Sequence, residues 1–226
     1  MGRFERLEKI VEEDKIKKIK ESSVLVLGIG GVGGYVVESL VRSGVGTIVI
    51  VDKDVVDETN INRQIIALES TIGKSKVDSF EERIHDINPS CKVIKINDFI
   101  GKDNINLLFQ EKINYLVDAC DTITTKKIVI DECLKRKIKF ISSMGTGNKF
   151  HPELLEIVDI RKTTNDPIAK IIRKYIKDNR TNDKVMVLSS KEVPKHINDR
   201  VVGSTSFVPS SAGLLIASYI INDIIK

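Results

Sequence analysis

The chain has 226 residues, 41% of them hydrophobic, three cysteines and a formal net charge of +4. That length can bury a substantial core, and three cysteines with no C-x-x-C pair exclude a disulfide framework and a zinc knot. The charged start MGRFERLEK has no signal-peptide core, and the most apolar run, Ala212 to Ile221, is shorter than the roughly twenty residues of a bilayer span, so a cytoplasmic protein with no membrane partner is expected.

From the N-terminus, Phe4, Leu7, Ile10 or Val11, Ile16 and Ile19 recur at helical spacing, which predicts an amphipathic helical segment over residues 1–21, with Arg3 and Arg6 near its start. The run Val24 to Leu27 then ends in glycines and suits a strand buried on both faces. Gly28, Gly30 and Gly33 fit G-x-G-x-x-G, where glycine permits a tight turn, close approach of backbone to phosphate and close packing of the following helix. That helix, from about Gly31 to Ser43 with Gly44 as its stop, would offer unpaired N–H groups and the positive end of its dipole to a polyphosphate. The next strand ends at Asp52, a carboxylate placed to accept hydrogen bonds from ribose hydroxyls. The motif leaves NAD and ATP both open, and a glycine turn used only for packing is the alternative.

Asn60, Asn62, Arg63 and Gln64 follow just beyond a strand's carboxyl end, where open α/β sheets put ligands. A helix from about Lys74 to Ile87 places Lys76 in its first turn, where the dipole disfavours a cation; Lys76 is therefore either solvated or held beside a bound phosphate. Strands Cys91–Asp98, Asn114–Cys120 and Lys139–Gly145 alternate with helices Asn104–Gln110 and Lys126–Lys137. This alternation predicts a doubly wound, mostly parallel α/β sheet with right-handed crossovers. Asp118 and Asp121 close the fourth strand, where two acids could hold a divalent cation against a triphosphate, or Asp121 could cap the next helix.

In the C-terminal third, Leu154–Ile160 and Lys184–Ser190 read as strands added antiparallel to the sheet. The helix between them carries Ile168, Ile171, Ile172 and Ile176 on one face and Lys170, Arg173, Lys174, Lys177 and Arg180 on the other. Residues 161–200 hold eleven Lys or Arg against five Asp or Glu, an excess that points to a phosphate backbone or, alternatively, to an ordinary solvated face. Aromatics for base stacking are few there, Tyr175 and Phe207. The run Ala212 to Ile221 reads as a core or dimer-interface helix.

GIGGVG, VDKDVVDETNINRQ, GKSK and DACD, in that order, resemble the ATP-dependent adenylyltransferase superfamily, which includes ubiquitin-activating enzymes and the activators of molybdopterin-synthase and thiamine sulfur carriers. GRFER, SSMGTGNK, DIRKTTNDP and SFVPSSAGLLIAS are similar to its tRNA threonylcarbamoyladenosine dehydratase branch, so the likeness covers nearly the whole chain. It implies one Rossmann-like adenylyltransferase domain over 1–226, with a nucleotide-binding core at 22–150 and a C-terminal extension at 151–226 that offers a dimer or tRNA surface. It further implies ATP and Mg2+ as cofactors. Gly28, Gly30, Gly31 and Gly33 would line adenosine and α-phosphate, and Asp52 would hold the ribose with Asp54 nearby. Asn60, Arg63 and Lys76 would grip the phosphates, with Gln64 among the nucleotide contacts; Asp121 would bind the metal, and Arg6 would reach a partner's γ-phosphate across a homodimer. The implied reaction adenylates the threonyl carboxylate of a modified adenosine in tRNA and then cyclises it, and a sulfur-relay protein is a further candidate partner.

The chain departs from carrier-protein activators in two ways: it lacks their paired C-x-x-C ligands, and it has no cysteine in the loop after Lys184 for a thioester or persulfide. An activator of a ubiquitin-like sulfur carrier is the alternative function, and a non-catalytic nucleotide-binding module is the second.

Overall fold

Runs rich in Val and Ile make the strands β1 (Ser23–Leu27), β2 (Thr47–Val51), β3 (Lys92–Ile96), β4 (Tyr115–Asp118), β5 (Lys139–Ser143), β6 (Leu155–Asp159) and β7 (Met186–Ser190). In the computed structural model, which describes residues 2–179, 181–195 and 201–226, they form one sheet in the order β3-β2-β1-β4-β5-β7-β6. The helices are α1 (Glu5–Glu8), α2 (Glu13–Lys20), α3 (Gly33–Arg42), α4 (Lys76–Ile87), α5 (Ile123–Arg136), α6 (Pro167–Asp178) and α7 (Phe207–Ile224). β1 and β4 are buried throughout, as central parallel strands covered on both faces must be. One apolar cluster lies under α2, α3, α4 and α7, and a second lies under α5 and α6 on the opposite face.

The doubly wound sheet follows the expected alternation, with one correction in the C-terminal third. β7 pairs parallel to β5 through Ser142↔Val187 and Ser143↔Leu188, and only β6 is antiparallel, running beside β7 from Leu155↔Ser190 to Asp159↔Met186. The β5–β7 connection is long enough to carry α6, and such a helical crossover is what a parallel pair requires. The expected N-terminal helical segment is also divided. α1 and α2 are separated at Glu12, whose backbone is extended, and Ile10 is 82% exposed instead of joining the apolar stripe. Residues Ile105–Phe109 form a 3-10 helix, and α5 begins earlier than expected, at Ile123.

Two motif glycines are fixed by packing. Gly28 has φ +82°, and a Cβ there would stand 2.9 Å from the backbone of Ala119 and Cys120. A Cβ at Gly33 would stand 1.8 Å from the carbonyl oxygen of Gly28. The start of α3 therefore sits on the end of β1, and the turn itself on the segment that follows β4, both at backbone contact. α7 is long and apolar enough to cross a membrane by length and composition, yet it packs on α3. Its Ala212, Ile216, Ala217 and Ile220 are buried, whereas Leu214 and Leu215 are exposed.

Glu38 ties α3 to α4. Its carboxylate accepts from Arg83 Nε at 2.7 Å, Arg83 Nη2 at 3.0 Å and Arg42 Nε at 2.7 Å. Burial pushes this carboxyl up, but the guanidinium groups of Arg83 and Arg42 outweigh it and hold the group below its ordinary value of 4.5. The folded pKa is the lower one, so the stabilisation is full above the unfolded value and is lost as pH falls through the folded value. Thermal melts of Glu38→Gln are expected to start from a lower Tm at neutral pH and to fall less than wild type below pH 4.5. Parallel Tm-versus-pH curves would refute this role.

Candidate active site

The carboxyl ends of β1, β2 and β4 open into a cleft of about 520 Å³. Asp52, just past β2, accepts from Ile29 N through Oδ2 and from Asp54 N through Oδ1, each at 3.0 Å. Asp54 in turn takes Lys76 twice, its backbone N on the carbonyl at 3.0 Å and its Nζ on Oδ2 at 3.2 Å. A continuous chain of hydrogen bonds thus runs from the glycine turn to the first residue of α4. Lys76 is only 5% exposed, so the solvated reading fails. A cation is held at a helix N-terminus, on the cleft wall, against its own dipole preference.

Asp57 caps the 3-10 turn Glu58–Asn60 through Thr59 N at 2.9 Å, and Asn60 Oδ1 accepts from Asp57 N at 3.2 Å. Arg63 Nη1 donates to Thr59 O at 2.7 Å and to Asn62 Oδ1 at 2.9 Å, which braces the guanidinium on the same wall. Gln64 is buried in that wall, and its Oε1 has no hydrogen-bond partner among the described residues. An orphaned buried acceptor costs about 1–3 kcal/mol, a deficit that a bound donor removes. Gly30 and Gly31 line the cleft; Gly28 lines an adjoining recess of about 330 Å³ with Phe99 and Ile100. Gly33 lines neither, and its position is set by close packing on the Gly28 backbone.

The paired acids at the end of β4 are not a pair facing the cleft. Asp118 is buried and accepts from Lys126 Nζ at 3.0 Å, Ser142 Oγ at 2.5 Å and Cys120 N at 3.2 Å. Its charge is neutralised inside the protein, and Asp121 is the acid that reaches the cleft. Nor does Asp121 cap α5, whose N-cap is Thr122 with no side-chain cap bond. Among the described residues no group of three or more His, Cys, Asp or Glu is placed to hold a metal ion.

The thiols are unsuited to nucleophilic work. Burial pushes Cys91 to about 11; burial and the Asp118 carboxylate push Cys133 to about 12. Cys120, on the cleft wall, is raised further by the same two causes, so none is a thiolate near neutrality.

A second cavity, of about 540 Å³, opens beside the cleft and shares Arg63, Cys120, Asp121, Thr146 and Ser204 with it. Sequence reasoning did not single out Asp57, Thr146, Ser204 or Pro209. Thr146 lies just past the carboxyl end of β5, so the strand-end rule could have found it. Pro209 comes from the first turn of α7, inside the SFVPSSAGLLIAS stretch, and Ser204 from the segment just before it, with no local pattern to mark Ser204.

The expected positions outside the cleft fall on α1 and α6. Arg6 is exposed on α1, at the amino edge of the sheet, where Phe4 lies against Gly44 and Arg3 bonds Ile87 O. Lys170, Lys174 and Lys177 are exposed on α6, but Arg173 is tied down, donating through Nη1 to Thr163 O at 2.8 Å and to the Thr163 hydroxyl. Ile171, expected on the buried face, is exposed, because only Ala169, Ile172 and Ile176 reach the core. Arg180 lies outside the described residues.

The ThiF family model matches residues 4–222. A tRNA threonylcarbamoyladenosine dehydratase of Bacillus subtilis is 42% identical over 100% of this chain and 96% of its own length. The Escherichia coli protein of that name is 35% identical over 77% of this chain and 65% of its own. Crystal structures of the Escherichia coli enzyme in complex with AMP and with ATP match at a TM-score of 0.93 and 30% identity, over 99% of this chain and 94% and 93% of theirs. The chain therefore belongs to the ThiF family, in its tRNA threonylcarbamoyladenosine dehydratase branch.

Proposed function

We propose that the protein is an ATP-dependent tRNA threonylcarbamoyladenosine dehydratase, which closes the side chain of a modified adenosine into a ring. The observation that carries this reading is the 42% identity to the Bacillus subtilis enzyme across the whole chain; the cleft supplies groups suited to the chemistry. Adenine would occupy the recess beside Phe99 and Ile100, the ribose hydroxyls would meet Asp52, and the triphosphate would run over Gly30 and Gly31 toward Asn60, Arg63, Gln64 and Lys76. A magnesium ion fits beside Asp121, since Mg2+ needs only one or two carboxylates besides phosphates and water. It would supply neutralisation of phosphoryl charge.

In the first step a threonyl carboxylate oxygen attacks the α-phosphorus, the α–β phosphoanhydride bond breaks and pyrophosphate leaves. The carbamoyl group then attacks the acyl carbon of the mixed anhydride, loses a proton and expels AMP. Net, the nucleoside loses the elements of water, and ATP becomes AMP and pyrophosphate. Arg63 and Lys76 oppose the charge that builds on the phosphoryl group and its leaving group. Holding the carbamoyl beside the anhydride gives ring closure a large effective concentration. Both nucleophiles belong to the substrate, which accords with the absence of a usable thiol in the cleft.

The active unit would be a homodimer. Arg6 stands at the sheet edge opposite its own cleft, so a phosphate role for it requires the cleft of a second copy. The extension 151–226 would take the tRNA backbone through Lys170, Lys174 and Lys177, with Arg173 bracing the helix, and the substrate makes the cytoplasm its setting.

Incubation with α-labelled ATP tests the reading. AMP release is expected only with threonylcarbamoyladenosine-bearing tRNA; release driven by a small carrier protein without tRNA would overturn it. Replacing Lys170, Lys174 and Lys177 together by alanine is expected to weaken tRNA binding and to flatten the log–log salt slope by about two to three units. An unchanged slope would make α6 ordinary surface.

A further inference from the structure

We propose that the second cavity seats the modified adenosine, and that the Phe150–Phe207 pair at its rim stacks a neighbouring unpaired base; the proposal rests on the tRNA reading above. The cavity shares Arg63 and Asp121 with the nucleotide cleft, so a group inside it adjoins the space proposed for the triphosphate. Ile168, Pro194 and Val202 give it apolar sides suited to a purine plane, and Thr146 and Asn148 supply polar groups for orientation.

Its walls are built before any ligand arrives. Lys149 and Asp166 form a buried ion pair at 2.9 Å, and Asp166 also caps α6 by accepting from Ala169 N at 2.9 Å. Asn148 exchanges two hydrogen bonds with Gly203, at 2.8 and 2.7 Å, and its carbonyl accepts from Lys195 N at 2.8 Å. The pairing has a chemical consequence. Lys149 is neutralised by Asp166, so among the described lining residues the cation left to attract a carboxylate is Arg63, on the shared wall. A threonyl carboxylate entering this cavity is drawn toward Arg63, on the wall shared with the nucleotide cleft, with the purine left among the apolar sides.

The rim carries the second observation. Phe150 directly follows Lys149, and Phe207 lies three residues beyond Ser204, both of them cavity residues. The two rings meet edge to face with centroids 4.9 Å apart, and Lys195 Nζ sits 5.3 Å from the Phe150 ring centre. They remain 52% and 38% exposed. An exposed aromatic face beside a cation suits a nucleobase and its phosphate, as in single-strand binding sites.

Two variants decide the matter. Val202, exposed at the mouth, does not line the nucleotide cleft. Val202→Trp is expected to raise the KM for tRNA about tenfold or more while calorimetry finds ATP binding unchanged. Phe150→Ala is expected to raise that KM about tenfold, yet to leave binding of the free threonylcarbamoyladenosine nucleoside intact. Wild-type turnover with either variant unchanged overturns the proposal alone, as does equal loss of ATP binding in Val202→Trp. A Phe150→Ala protein that sediments as a smaller species assigns the rim to a second copy of the chain and also overturns it. Wild type that releases no AMP with tRNA overturns the functional reading itself.

Discussion

Lys76→Ala is expected to lower tRNA-dependent AMP formation about 10²–10³-fold, the loss typical of removing one preorganised group that faces developing charge. The reason lies in its setting. Lys76 is buried on the cleft wall at the first position of α4, and its one carboxylate partner among the described residues, Asp54, is itself exposed. An incoming phosphate can therefore take over that ammonium, and water can solvate Asp54 once it is released. The same exposure limits the structural damage, because Asp54 can be rehydrated when the lysine is lost and no uncompensated buried charge remains. The melting temperature of Lys76→Ala should accordingly stay close to wild type. Steady-state assays of AMP release, paired with thermal melts, separate the two effects. Wild-type turnover would remove Lys76 from the machinery, and a collapsed melt would make it a structural residue.

How much of this was legible depends on the range of the contacts concerned. The placement of the glycine turn, Asp52, Arg63 and Lys76 on the cleft was readable, because position at a strand end or helix start is what a local pattern encodes. The fate of Asp118 was not. Its partners Lys126 and Ser142 come from α5 and β5, and the sequence around DACD carries nothing that tells which of two acids turns inward. The direction of β7 escaped for a similar reason, since a strand's pattern is the same whether its neighbour runs with it or against it. The second cavity is more distant still. Asn148 meets Gly203 across more than fifty residues, and Phe150 meets Phe207, so counting aromatics near the basic helix understated what the folded surface offers a base. Tertiary pairing decided each of these, and no window of neighbouring residues contains it.

The three glycines of the motif should separate by experiment into two kinds. Gly33→Ala is expected to cost more than about 4 kcal/mol, a large share of the 5–15 kcal/mol that stabilises a typical domain. A methyl there would lie 1.8 Å from the Gly28 carbonyl oxygen, and both partners are backbone, so no side chain can move aside. α3 would have to lift from β1, opening the core beneath Val36, Val37 and Leu40. Gly30→Ala meets only the Gln64 amide at 3.6 Å, ordinary contact, and its φ lies outside the left-handed region. The fold should therefore tolerate it, with any shift in stability within about 1 kcal/mol. The methyl would instead project where backbone must approach phosphate, and ATP binding is expected to weaken about tenfold, about 1.4 kcal/mol, within the roughly 1–3 kcal/mol that an extra carbon costs in a filled site. Denaturant titration and ATP calorimetry on the two variants give the answer. A stable Gly33→Ala protein would refute the packing account, and undiminished ATP affinity in Gly30→Ala would place the phosphates away from the turn.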